Sequence, residues 1–133
     1  MSDTAVARND AELIHIRATA DSADDHSVLM LNLNRYYAHA DFPNGTAYKR
    51  YRDCLATLLP EVGARILWQS HAHGQVVGEQ AIDEILAVWY PSHQAFLDLR
   101  SAPGAEQNFA LRAACVEYAV IHRCDGSTAP LAG

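Results

Sequence analysis

At 133 residues the chain has the size of one domain, with half its residues hydrophobic and a fifth charged, which excludes disordered and membrane-spanning compositions. Acidic residues outnumber basic ones by 16 to 10 and no Lys/Arg cluster occurs, so the attraction that underlies nucleic-acid binding is missing. No apolar run approaches the roughly 20 residues of a membrane helix, and the N-terminal MSDTAVARNDAEL has neither a basic nor an apolar leader region. The expectation is a cytoplasmic protein without nucleic-acid or membrane partners.

Residues 1–27 read as an N-terminal extension in which AELIHIRATA fits either a strand by its alternation or a helix capped by Asn9 or Asp10. VLMLNLN, from Val28 to Asn34, has the length and apolar density of a first strand. After a loop ending in Pro-Asn-Gly, the residues Tyr48, Tyr51, Arg52, Leu55, Leu58 and Leu59 recur at helical steps, with Thr46 as a cap and Pro60 and Gly63 as the stop. ARILWQSHAHGQVVG, Ala64 to Gly78, returns to strand character, and Gly74 predicts a bulge or bend within it. GEQAIDE turns the chain into a third strand, Ile85 to Tyr90.

Pro91 cannot donate to a sheet ladder, so it ends that strand, and Ser92 is a good N-cap for HQAFLDLRS. A second helical piece is expected from Gly104 or Ala105 to about Ala114, beyond Pro103-Gly104. Val116 to Arg123 makes a fourth strand, and 125–133 a flexible tail. The order β-α-β-β-α-β over residues 28–124 predicts an α+β domain, a ferredoxin-like protomer whose four-stranded antiparallel sheet carries both helices on one face.

Alternation sends Leu29, Leu31 and Leu33 to one side of the sheet, and Val28, Met30 and Asn32 to the other. Both sides are largely apolar. Four strands of six residues present roughly 400 Å² per face, about the largest apolar patch a monomer tolerates. The helices cover one face, so a second copy is expected on the other, approaching the usual area of about 800 Å² per partner once loops contribute. A homodimer is predicted.

VLMLNLNRY, the Tyr48/Tyr51 helix, GARILWQ, IDEILAVWYPSHQAFLDL and LRAACVEYAVIH together resemble the domain-of-unknown-function family 1330, within the dimeric α+β barrel superfamily. The resemblance spans about Val28 to Arg123, and is most specific at Met-Leu-Asn-Leu and at Tyr-Pro-Ser followed by Ala-Phe-Leu. The family pattern has Trp-Asp before the third strand, where this chain has Ile82-Asp83. The resemblance implies a dimer of ferredoxin-like protomers, each with a pocket between sheet and helices. Relatives use that pocket for cofactor-independent oxygenation, isomerisation or haem chemistry.

Among individual residues, Asn32 stands on an otherwise apolar strand, where an amide must be hydrogen-bonded: to a ligand, to loop backbone or to another subunit. Asn34 shares its face. Tyr48 offers a hydroxyl on the helix face toward the sheet, as does Tyr51, while Trp89 and Tyr90 must point to opposite faces. Tyr90 and Ser92 are pocket candidates at a strand-to-helix corner, with plain capping as the competing role of Ser92. Arg112 could clamp a carboxylate substrate, Asp83 or Glu117 could serve as a base, and Glu84 is a further charge near a core element.

His93 and His122 could exchange protons, again without an identified partner. His71 and His73 face one side at strand spacing, but supply only two of the ligands zinc needs, so no metal is expected. No cofactor-binding motif occurs, and no cofactor is expected. Cys54, Cys115 and Cys124 lack a C-x-x-C pair and read as reduced thiols; Cys54 is either a nucleophile or a small apolar helix residue. The functional expectation is a small-molecule pocket, as a binding site or as a cofactor-independent enzyme, against the alternative of a non-catalytic ferredoxin-like binding or assembly module.

Overall fold

The computed structural model describes residues 9–127. Its elements are α1 (Asp10–Ala20), β1 (Val28–Tyr36), α2 (Thr46–Leu58), β2 (Arg65–His71), β3 (Glu84–Tyr90), α3 (His93–Asp98), α4 (Ala105–Cys115) and β4 (Val116–Asp125), with short 3-10 turns between. The strands form one sheet in the order β2-β3-β1-β4, every neighbouring pair antiparallel. Strands β1 and β2 flank β3, and β3 and β4 flank β1, so each helix-containing connection skips one strand.

The ambiguous AELIHIRATA segment is helical. It follows Asn9, whose side chain makes no capping bond, and buries only Ile16, which joins the main core with Leu99 and Ala105. At α2 the cap position falls on Gly45 rather than Thr46, which is the first helical residue. A Cβ on Gly45 would lie 2.2 Å from the Ala40 carbonyl oxygen, so the tight Phe42-Pro43-Asn44 turn leaves room only for glycine. The helix ends as read: a 3-10 turn from Leu59 through Pro60 to Val62 passes into Gly63 at φ 76°.

Two expectations about β2 are corrected. The strand stops at His71 instead of running to Gly78, and its irregularity falls between Ile66 and Trp68 instead of at Gly74. Beyond His71 the Ala72 amide still donates to the Asp83 carbonyl at 2.9 Å, and the residues between them form a long connection. In contrast, Ser92 caps α3 by accepting a hydrogen bond from the Ala95 amide at 3.0 Å. Strand β4 continues two residues past Arg123, through Asp125, because Val28 pairs with it there; the expected tail beyond 127, like residues 1–8, lies outside the described residues.

The register puts Val28, Met30, Asn32 and Asn34 on the same face as Glu84, Leu86, Val88 and Tyr90. All four helices contribute to the buried clusters on this face. On the other face Leu29, Leu31, Leu33, Ile85, Trp89 and Val120 remain half-buried, and none joins a buried cluster. Trp68, on the same side, is about half exposed. The sheet is thus roofed on one side and bare, apolar and rimmed by Arg35 and Arg65 on the other, the two guanidiniums stacked on Tyr118 and Trp89 at 4.8 Å.

Candidate functional site

A cavity of about 820 Å³ lies between the roofed face and α2, α3 and α4. Its floor is Met30, Leu86 and Val88; Leu55, Phe96 and Phe109 descend from the helices. These positions follow from alternation in the strands and from i, i+4 spacing in the helices, which bring apolar side chains together from five elements. Size and lining are those of a small-molecule site.

Of the residues singled out from sequence, Asn32, Asn34, Tyr51, Tyr90, Arg112 and Glu117 line this cavity. Asn32 also donates to the Met30 carbonyl at 3.1 Å. Tyr48 and Ser92 do not line it: Tyr48 turns behind the cavity wall, and the Ser92 hydroxyl is engaged by the first turn of α3. Asp83 accepts from the Tyr36 amide at 2.9 Å, and Glu117 is paired with Arg35 at 3.2 Å. Among the described residues, no group of three metal-ligating side chains forms; the His71 and His73 rings are 6.4 Å apart.

Sequence reading noted Asn34 beside Asn32 but missed Asn108. Asn34 and Asn108, each 1 % exposed, stand in the cavity wall, and among the described residues Asn34 Oδ1 and Asn108 Nδ2 have no hydrogen-bond partner. The polar minority on the face of β1 signalled Asn34. Asn108 gave no signal, since an asparagine in a short helix usually faces water.

Behind the wall sits a closed polar hub. Glu84, also 1 % exposed, accepts hydrogen bonds from the Tyr36 and Tyr48 hydroxyls, both at 2.6 Å. Because each phenol has one proton and gives it to Glu84, Tyr36 can only accept from Asn34, whose Nδ2 lies 3.4 Å away. That fixes the Asn34 amide with its nitrogen toward the hub and its oxygen free. Phe42 encloses the hub, stacked on Tyr36 and edge-on to Tyr48.

Burial, reinforced by the hydrogen bond to Glu84 and by its charge, pushes Tyr36 and Tyr48 well above the phenol value of 10. Burial likewise raises Tyr51 and Tyr90, against the opposing pull of Arg112. All four shifts favour the protonated phenol, and Tyr36 and Tyr48 give their protons to Glu84. The only carboxylate among the described lining residues is Glu117, already held by Arg35.

His93 belongs to another closed unit. Its Nδ1 faces two acceptors, Asp25 Oδ1 at 3.1 Å and the His26 carbonyl at 3.0 Å, so Nδ1 carries the proton and Nε2 accepts from Arg123 at 3.4 Å. Asp25 also accepts from the His93 and Gln94 amides, and Arg123 pairs with Glu12. This network ties α1, α3 and β4 together. His122 is exposed, and the three cysteines are free thiols, Cys115 buried.

Fold and site together define an α+β protein with a four-stranded antiparallel sheet, helices on one face and a largely apolar cavity beneath them. No helix among the described residues is long and apolar enough to cross a membrane. No family model matches the chain, and no curated protein matches it. Among solved structures, it is similar to RPA0582, a protein of unknown function from Rhodopseudomonas palustris. The match has a TM-score of 0.73 at 23 % identity, covering 94 % of this chain and 98 % of that one. The methylated form of RPA0582 matches with a TM-score of 0.75 at 23 % identity, covering 98 % and 99 %. At this identity the likeness is one of fold.

Proposed function

We propose that this chain is a homodimeric member of the domain-of-unknown-function family 1330, a dimeric α+β barrel protein whose ferredoxin-like protomers each bind one small organic molecule between sheet and helices. The observation that carries the binding role is the cavity of about 820 Å³ whose apolar walls include two buried amides with unused polar atoms. An unsatisfied buried amide costs about 1–3 kcal/mol. Two of them at one cavity favour a site whose hydrogen bonds are completed by a ligand over a hole left by poor packing. Binding is favoured over catalysis because burial raises the lining phenols Tyr51 and Tyr90 above their ordinary value and Glu117 is paired with Arg35.

The strand order, with two interleaved β-α-β units, supports the ferredoxin-like reading. The bare face supports the dimer, since Leu29, Leu31, Leu33, Ile85 and Val120 would otherwise meet water together.

A thermal-shift screen of small organic acids, alcohols and amines tests the binding role, with Asn32→Trp, which fills the cavity from its floor, as control. Compounds are expected to stabilise the native protein but not this variant. Equal shifts in both, or no shift from any compound class, would sink the reading. Sedimentation tests the dimer separately: a particle of twice the 14.6 kDa chain mass is expected at micromolar concentration. Leu31→Glu, which places a charge in the middle of the bare face, should return it to a folded single chain. A native protein that already sediments as one chain overturns the dimer.

A further inference from the structure

The cavity wall has a chemical polarity that narrows its occupant. Arg112 and Asn108 are four residues apart on α4 and so lie one above the other on the same face of that helix. Both reach the cavity. Among the described residues Arg112 has no carboxylate partner, because Glu117 is paired with Arg35 and both oxygens of Glu84 accept from phenols. Arg100 adds a second cation at the wall. Two guanidiniums thus share the wall with one carboxylate, Glu117, which pairs with Arg35.

The α4 side of the wall presents donors: a guanidinium and the unused Nδ2 of Asn108. Donors beside a fixed cation match a carboxylate, which takes a guanidinium in a planar, charge-assisted pair. A phosphate dianion fits less well, since Arg112 is in the last turn of α4, where the helix carries negative partial charge. On the sheet side, the hub turns the Asn34 nitrogen away and leaves Oδ1, a pure acceptor, unused. The rest of the lining is mainly apolar, with Met30, Leu86, Val88, Leu55 and Phe96 beside the polar Asn32, Tyr51 and Tyr90. Rotation of Asn108 about χ2, which is broad for asparagine, can bring its unused Nδ2 onto a ligand, while the hub holds Asn34 Oδ1 in place.

We infer that the cavity takes an apolar monocarboxylate, its carboxylate on Arg112 and Asn108, its hydrocarbon or aromatic body on the floor, and any hydroxyl or N–H it carries on Asn34. This inference rests on the cavity being a binding site and specifies what fills it.

Titration calorimetry with matched probes tests it: cinnamate and 4-hydroxycinnamate against neutral cinnamamide, and octanoate against octanamide, with native protein and with Asn32→Trp. At least one carboxylate is expected to bind about tenfold or more tightly than its amide, more weakly as salt rises, and not at all to Asn32→Trp. Arg112→Gln should erase the preference for the acid while leaving amide affinity in place, so that a loss of folding is distinguished from a loss of charge recognition. Arg112→Lys should retain part of the preference, as a point charge without the planar fork. If the amides bind as well as the acids, and Asn32→Trp abolishes both, the cavity stands and the carboxylate assignment fails. Acid preference that survives Arg112→Gln also overturns the assignment. If no probe binds in a way that Asn32→Trp abolishes, the cavity itself is not the site.

Discussion

Two polar clusters meet at Asn34 and differ in one respect. In the hub, Glu84 has both oxygens occupied, and both phenol protons are used. In the cavity wall a few ångströms of side chain away, Asn34 Oδ1 and Asn108 Nδ2 are buried as deeply and have no partner among the described residues. Burial does not distinguish the two clusters; completeness of hydrogen bonding does. A satisfied cluster locks one conformation of the fold, whereas an unsatisfied one beside a cavity is, on the proposed function, completed by a ligand.

The sharpest way to break this contrast is Glu84→Leu. The substitution strands two buried hydroxyls, each costing about 1–3 kcal/mol, so a loss of about 2–6 kcal/mol is expected in urea unfolding. A loss below about 1 kcal/mol would show that Tyr36 and Tyr48 find other partners, and that the hub is not closed. The Asp25–His93 network sharpens the same point through pH. Burial pushes the Asp25 carboxyl up, but amide bonds from His93 and Gln94, with the His93 side chain, hold it below its ordinary 3.8 in the folded state. A depressed carboxylate contributes stability that is present above the unfolded value and disappears as pH falls through the folded one. Melting temperature should therefore decline on acidification below 3.8, and Asp25→Asn should flatten that decline while lowering stability at neutral pH. An unchanged acid slope in Asp25→Asn would remove Asp25 from the account.

The frame of the fold was legible because each face of β1 and β3 repeats every second residue, and because Pro91-Ser92 and Pro60 to Gly63 mark element ends chemically. The hub was not legible. Tyr36 lies two residues past the point where β1 seems to end, and Glu84 one residue before β3 seems to start; only the pairing of Asn34 with Glu84 brings them together. The α1 helix hides its period because Ile16 is its one buried residue. Asp25 caps a helix 68 residues away, a distance no local pattern spans. In the cavity, alternation could place Asn32 and Tyr90 and helical spacing Arg112, but Tyr48 could not be told from Tyr51: both are buried on one helix, and a few tens of degrees decide which reaches the cavity and which the hub.

The smallest effect is also the most discriminating in sign. Leucine is close to asparagine in shape, so Asn108→Leu removes the unused donor while keeping the volume beside Ala105 and Arg112. Replacing a satisfied buried polar group costs stability; replacing an unsatisfied one relieves a desolvation penalty of about 1–3 kcal/mol, part of which returns as lost adaptability at the wall. Unfolding should therefore show Asn108→Leu unchanged or more stable by about 1 kcal/mol, opposite in sign to Glu84→Leu. Ligand binding should move the other way: cinnamate affinity should fall as one donor leaves the carboxylate site, so stability and affinity trade against each other at one residue. If Asn108→Leu instead loses several kcal/mol, the amide has a partner within the fold, and the two clusters are of the same kind.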